Sequence, residues 1–152
     1  MEKIFQELRD KTQHERWTRV IALEKYGKPA LDYLHEAIND EDKWVRYMAA
    51  DALGNIGDVR SIERLIPLLN DQDQDVRFAT AYALGNIGHP SAAQALSHTC
   101  EKDNCFVKIA AEEALAKIEP DTSIQDKRRV ATFLQVVGMY KEALELWKKQ
   151  IN

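Results

Sequence analysis

Trp44-Val45-Arg46-Tyr47-Met48-Ala49-Ala50-Asp51-Ala52-Leu53-Gly54-Asn55-Ile56-Gly57 returns as Asp75-Val76-Arg77-Phe78-Ala79-Thr80-Ala81-Tyr82-Ala83-Leu84-Gly85-Asn86-Ile87-Gly88. The interval is 31 residues, and a worn third copy follows at the same interval: Phe106-Val107-Lys108-Ile109-Ala110-Ala111-Glu112-Glu113-Ala114-Leu115-Ala116-Lys117-Ile118. A fixed period of this length marks small supersecondary units that stack side by side, because none can bury its apolar face alone. The repeat decides the architecture before any other feature is read.

Within one unit, Val45, Ala49, Ala52, Leu53 and Ile56 recur at the three- and four-residue spacing of a single helical face. Gly57 can take the left-handed conformation that ends such a helix, and Gly88 repeats the device. A second helix carries Ile62, Leu65, Ile66 and Leu69, then stops at Asn70-Asp71-Gln72-Asp73. Pro67 sits inside it, where the missing N–H removes a hydrogen bond and bends the helix. Alanines at positions 49, 50 and 52 let neighbouring helices approach closely.

With 152 residues the chain is one domain long and can bury a core. Hydrophobic residues make up 45% and charged residues 30%, proportions of a globular rather than a disordered chain. A net charge of -4 gives no global electrostatic reason for nucleic-acid binding. No apolar run approaches the roughly 20 residues that span a bilayer, so no membrane segment is expected. The start, Met1 to Leu8, lacks the long apolar stretch of a secretory signal, and the expected location is cytoplasmic. Cys100 and Cys105 match no zinc spacing and are expected as thiols. Cys100 takes the position of Leu69, which suits a small core residue, and Cys105 opens a helix.

The block x-V-R-x-x-A-A-x-A-L-G-x-I-G, followed by Ile66-Pro67-Leu68-Leu69 and an Asp-containing turn, resembles the HEAT family, in particular its short phycobilisome-lyase-like subtype. The likeness is near complete over residues 43 to 104 and good to Ile118. Upstream, with a one-residue deletion, Arg16-Trp17, Leu23 and Gly27 align with Arg46-Tyr47, Leu53 and Gly57, and Leu31, Leu34 and Ile38 with Ile62, Leu65 and Leu69. This resemblance implies an all-α fold, a right-handed α-α superhelix (HEAT-like solenoid) of about ten helices. One domain would span 1-152: a cap helix at 1-13, a degenerate repeat at 14-42, three clear repeats at 43-119 and a helical hairpin cap at 120-152. In the first cap Ile4, Phe5 and Leu8 face inward; the last pairs Val130, Phe133, Leu134 and Val137 with Tyr140, Ala143, Leu144 and Trp147 across Gly138. The segment from Gly138 to Leu146 also resembles half a tetratricopeptide unit. The resemblance further implies a ladder joining Arg46, Arg77 and Lys108 to turn residues Asp42, Asp73 and Asn104. As exposed pairs these are worth under about 1 kcal/mol each.

Signs of catalysis are few. There is no Gly-rich phosphate loop and no Ser-His-Asp signature. Asp71, Asp73 and Asp75 lack the glycine and terminal glutamate of an EF-hand loop. His14-Glu15 and His35-Glu36 invite comparison with a HEAT-like hydroxylase family that binds di-iron through His-Glu dyads placed after the repeat's Val-Arg. Here those slots hold Tyr47-Met48, Phe78-Ala79 and Ile109-Ala110, so no metal and no cofactor are expected. His35, at the place of Ile66 and Ser97, reads as a half-buried helix residue, His89 as a turn residue before Pro90, and His98 as an outer surface residue. Some members of the phycobilisome-lyase-like subtype attach or remove tetrapyrroles as one subunit of a pair, but this chain matches only their repeat. HEAT-like glycosylases grip DNA with a basic face, whereas the matching positions here are aromatic and acidic more than basic.

In the HEAT family the helix carrying Val-Arg lines the concave side. Its non-core positions here hold Lys43, Trp44, Tyr47, Met48, Asp51 and Asn55, then Gln74, Asp75, Phe78, Ala79, Tyr82 and Asn86, then Phe106, Ile109, Glu113 and Lys117, with Trp17 on the same surface upstream. Of these, Trp17, Trp44, Tyr47, Met48, Asp51, Asp75, Phe78, Tyr82, Phe106, Ile109 and Glu113 are the expected partner-binding residues. Large aromatics gather where the repeat does not need them for its core, and such residues are enriched at interfaces. The expected function is a non-enzymatic protein- or peptide-binding scaffold. A subunit of a bilin lyase, or a chaperone for one, is the competing class.

Overall fold

Two 14-residue helices carry the repeat's signature, and their ends show how the sequence sets their length. The computed structural model describes residues 22–119 together with Arg16 and Val20. Trp17, the proposed cap at 1-13 and the proposed hairpin at 120-152 lie outside the described residues. Asp42 and Asp73 precede the two helices, and their carboxylates accept from the backbone amides of Trp44 and Asp75, satisfying a donor that the first turn leaves unpaired. Gly57 and Gly88 close them at φ 69° and 68°, each returning its amide to the carbonyl of Leu53 or Leu84.

In chain order the helices are α1 (Leu31–Ala37), α2 (Lys43–Ile56), α3 (Ile62–Leu65), α4 (Gln74–Ile87), α5 (Ala93–Lys102) and α6 (Cys105–Ile118). Residues 22–24 are also helical, and no strand occurs among the described residues. Helices α2, α4 and α6 lie side by side as an inner layer, while α1, α3 and α5 cover them as an outer layer. Each outer helix is entered through a 3-10 turn: Lys28–Ala30, Val59–Ser61 and Pro90–Ala92. His89 caps the last of these, its ring nitrogen accepting from the amide of Ser91. Around Pro67 the helix changes type: α3 stops at Leu65 and the chain continues as a 3-10 segment, Ile66–Asn70. Without an N–H, Pro67 cannot bond back one α-helical turn. His98 occupies the matching position of α5, which runs unbroken.

Between the layers, Leu34, Ile38, Leu53, Leu65, Val76, Leu84, Leu96 and Val107 are fully buried. Thr80, also fully buried, donates its hydroxyl to the Val76 carbonyl at 2.7 Å, so its polar atom is satisfied inside its own helix. The inner helices touch through glycine. A Cβ at Gly54 would stand 2.6 Å from the Ala83 Cα, and one at Gly85 would stand 2.7 Å from the Ala114 Cβ. The aligned alanines help, but these two glycines set the spacing. Cys100 is half-buried against the core, and Cys105 is exposed.

The arginine ladder differs from the expected one. Asp42 and Asp73 are helix caps; the carboxylates that meet the arginines are Asp71 and Asp103. Arg46 makes a two-pronged pair with Asp71 at 2.7 and 2.9 Å, and its Nη1 also donates to the carbonyls of Asp40 and Glu41. Arg77 repeats this with Asp103 at 2.6 and 3.0 Å and with the carbonyls of Asp71 and Gln72. Each guanidinium thus ties its own repeat's turn to the turn of the next. Arg16 reaches Asp40 and Glu41 at 3.4 and 3.3 Å in the degenerate repeat. The Arg46 and Arg77 pairs are not surface pairs, since the Arg46 and Asp71 side chains are only 8% and 11% exposed and those of Arg77 and Asp103 18% and 11%.

Acid should release this arrangement. Its hydrogen bond with Arg77 holds the Asp103 carboxyl below the usual carboxylate range. Asp58, buried at the start of the Val59–Ser61 turn, is held well below it by Arg60. A carboxylate lowered in the folded state stabilises the fold above its unfolded value, about 3.9, and loses that contribution as pH falls through the folded value. Melting temperature, followed by circular dichroism, is therefore expected to fall steeply below about pH 4. Asp103→Asn should start lower at neutral pH and lose less in acid. An equal loss in both proteins would remove Asp103 from the account.

Candidate interaction face

The inner layer turns one side toward α1, α3 and α5, and a row of large side chains is left on the other. Trp44 is 47% exposed, Phe78 37%, Tyr82 40% and Phe106 60%. Trp44, Asp75 and Phe106 hold one repeat position; Tyr47, Phe78 and Ile109 hold a second; Asp51, Tyr82 and Glu113 hold a third. The register of the stack therefore lays these residues in columns across α2, α4 and α6.

Trp44 meets Tyr47 edge to face, with ring centroids 6.0 Å apart. The Lys43 ammonium lies 4.8 Å from the Trp44 ring and pairs with Asp73 and Asp75 at 3.0 and 3.3 Å. At the other end of the face the Lys117 ammonium lies 4.9 Å from the Tyr82 ring, pairs with Glu113 at 3.3 Å and donates to Asn86. Asn104 donates to Gln74 and Asn55 to Glu24, so polar links also cross between repeats. The sequence places Lys43 and Lys117 on this face, but their seats over the Trp44 and Tyr82 rings were not read from it. Lys43 adjoins Trp44 directly, and Lys117 is one repeat and one helical turn beyond Tyr82, so a register for the stack would have exposed both.

Not every expected residue stands open. Tyr47 and Met48 are half-buried and pack against the core. At the Met48 position the next two repeats hold Ala79 and Ala110, both buried. That column faces a neighbouring helix rather than the open face. Ile109 and Glu113 are half-buried, and Asp75 is exposed. Trp17 cannot be placed, being outside the described residues.

Burial pushes the Asp51 carboxyl above its ordinary value, with no hydrogen-bonding or charged partner opposing it. Tyr47 is also raised, first by burial and then by the charges of Asp51 and Asp75. At the amino end of α2 an open depression of about 550 Å³ is lined by Glu41, Asp42, Lys43, Trp44, Arg46, Gln72 and Asp73. One Asp42 oxygen caps α2, and its Oδ2 is buried without a partner. The run Asp71, Asp73, Asp75 has a structural explanation: Asp71 and Asp73 each accept from the amide two residues on, and Arg46 and Lys43 neutralise the group.

His35 bonds to the buried Ser61 hydroxyl at 3.0 Å, so this member of a His-Glu pair joins two outer-layer elements. Among the described residues no cluster of three His, Cys, Asp or Glu side chains is arranged to hold a metal ion. Nor is any described helix long and apolar enough to cross a membrane.

No curated protein matches the chain. The family model for HEAT repeats matches residues 1–78 and 59–116, together running through the arginine ladder, α2 and α4 and most of α6. On that match, and on the all-helical stack of repeats, the chain belongs to the HEAT repeat family.

Proposed function

We propose that this chain is a non-enzymatic interaction module that holds a protein or peptide partner against the aromatic face of α2, α4 and α6. HEAT repeats commonly serve as protein-interaction scaffolds, and four aromatic side chains stand exposed on a layer whose packing uses alanine, glycine and leucine. A repeat that needed only to stack could carry small polar residues at Trp44, Phe78, Tyr82 and Phe106. Large aromatics lose little rotamer freedom on binding and bring much apolar area, which is why they anchor interfaces. We further read the stack as a right-handed superhelix of about ten helices, of the phycobilisome-lyase-like subtype and cytoplasmic. The subtype's repeat pattern carries the competing reading, a subunit of a bilin lyase.

Affinity capture with the immobilised full chain, beside Trp44→Ala and Phe78→Ala, tests the proposal. Each change is expected to weaken capture of the same partner by about 2 kcal/mol while altering folding stability by under about 1 kcal/mol. Both side chains project from the packed layer, so little of the core depends on them. If the variants unfold as readily as core-leucine variants, the aromatics serve inter-helix packing and the proposal fails. Stoichiometric uptake of a tetrapyrrole by the purified protein would favour the lyase reading instead.

A further inference from the structure

We propose that the partner presents a cationic, apolar segment to this face, with a Lys or Arg side chain seated at Asp51 and flanked by Tyr47 and Tyr82. The inference rests on the interaction-face reading and adds the chemistry of the occupant. Lys43 and Lys117, which rest on this face, are already engaged within the chain: Lys43 by Asp73 and Asp75, Lys117 by Glu113. Asp51 differs from these carboxylates. It is half-buried and forms no hydrogen bond or ion pair with any described residue. A carboxylate withdrawn from water without a cation is destabilised, and an arriving ammonium or guanidinium would remove that cost.

The surrounding rings suit the same guest. Tyr47 precedes Asp51 by one helical turn on α2, and Tyr82 holds the Asp51 position on α4. The chain's own lysines already rest on Trp44 and Tyr82 with their ammonium groups under 5 Å from the ring centroids, at 4.8 and 4.9 Å. This face therefore accommodates cations over aromatic rings. An acidic segment would instead meet Asp51, Asp75 and Glu113, while Lys43 and Lys117 are held by carboxylates of this chain, and like-charge contact disfavours the wrong partner. The apolar part of the segment would lie on Phe78 and Phe106.

Panning a random peptide library against the immobilised full chain tests this, whatever the natural partner is. Enriched peptides are expected to carry net positive charge together with aliphatic or aromatic residues. Calorimetry on a synthetic enriched peptide should then show about a tenfold loss with Asp51→Asn, and Asp51→Lys should turn the library toward acidic peptides. Circular dichroism melts of both variants, matching the unchanged chain, separate this loss from unfolding. Enrichment of neutral or acidic peptides, or binding indifferent to Asp51→Asn, overturns the cationic assignment. In that case a loss on Trp44→Ala and Phe78→Ala still leaves the face itself standing. Enriched peptides indifferent to all of these changes place the binding surface elsewhere and overturn both readings.

Discussion

Gly54→Val should destabilise the protein by about 3 kcal/mol or more, and Gly85→Val similarly, although both positions lie inside helices where glycine is ordinarily a defect. Helix propensity alone predicts the opposite sign, since replacing an interior glycine with alanine gains about 1 kcal/mol. The geometry overrides propensity. A Cβ at Gly54 would lie 2.6 Å from the Ala83 Cα, and one at Gly85 would lie 2.8 Å from the Ala114 Cα. The obstacle is a neighbouring backbone, so no rotamer change relieves it and the inner helices must separate. Separation loosens every contact across that repeat boundary, and repeats depend mainly on their neighbours for stability.

Urea denaturation of Gly54→Ala, Gly54→Val and Gly85→Val measures the effect. Leu53→Ala sets the scale of a core cavity, roughly 2–5 kcal/mol. Ser97→Ala, at an exposed position of α5, sets the propensity scale and should gain a few tenths of a kcal/mol. A Gly54→Ala protein more stable than the unchanged chain would show that α2 and α4 do not meet at this point.

What the sequence made legible and what it did not separate along a physical line. Helix ends depend on residues local to them, so Gly57 and Gly88 could be read directly from the repeat. Pro67 was readable for the same reason, its missing N–H being a property of one residue. Gly54 was not. An isolated glycine inside a helical pattern does not say which neighbour it admits, and that depends on the stagger between repeats. Stagger also displaced the ladder: equal repeat positions suggested Asp42 and Asp73 as the arginine partners, whereas Arg46 and Arg77 reach forward into the following turn. The face was partly legible. Trp44, Phe78, Tyr82 and Phe106 stand at non-core positions and are exposed, but Met48 is half-buried because an inner helix packs on its neighbours as well as on the outer layer. Its buried arc is therefore wider than the apolar stripe of one helix taken alone.

Arg46→Ala should cost about 3 kcal/mol, far more than an exposed ion pair is worth. The side chain joins three acceptors: the Asp71 carboxylate and the carbonyls of Asp40 and Glu41. Removing it leaves Asp71 largely buried without its cation and frees two carbonyls in the turn before α2. Losing one partner of such a pair is costly because the other charge remains desolvated. Arg46→Lys should recover only part of the loss, since an ammonium cannot match the planar two-pronged contact while reaching the carbonyls. A double-mutant cycle with Asp71→Ala should give a coupling of about 1.5–3 kcal/mol, as for hydrogen bonds to charged groups. Because the pair is little exposed, the coupling should change little between low and moderate salt. A coupling near zero, or one that vanishes as salt is added, would return the ladder to the status of a surface decoration. In that event the repeats would be held by glycine contacts and leucines alone, and Arg46 and Arg77 would need another explanation.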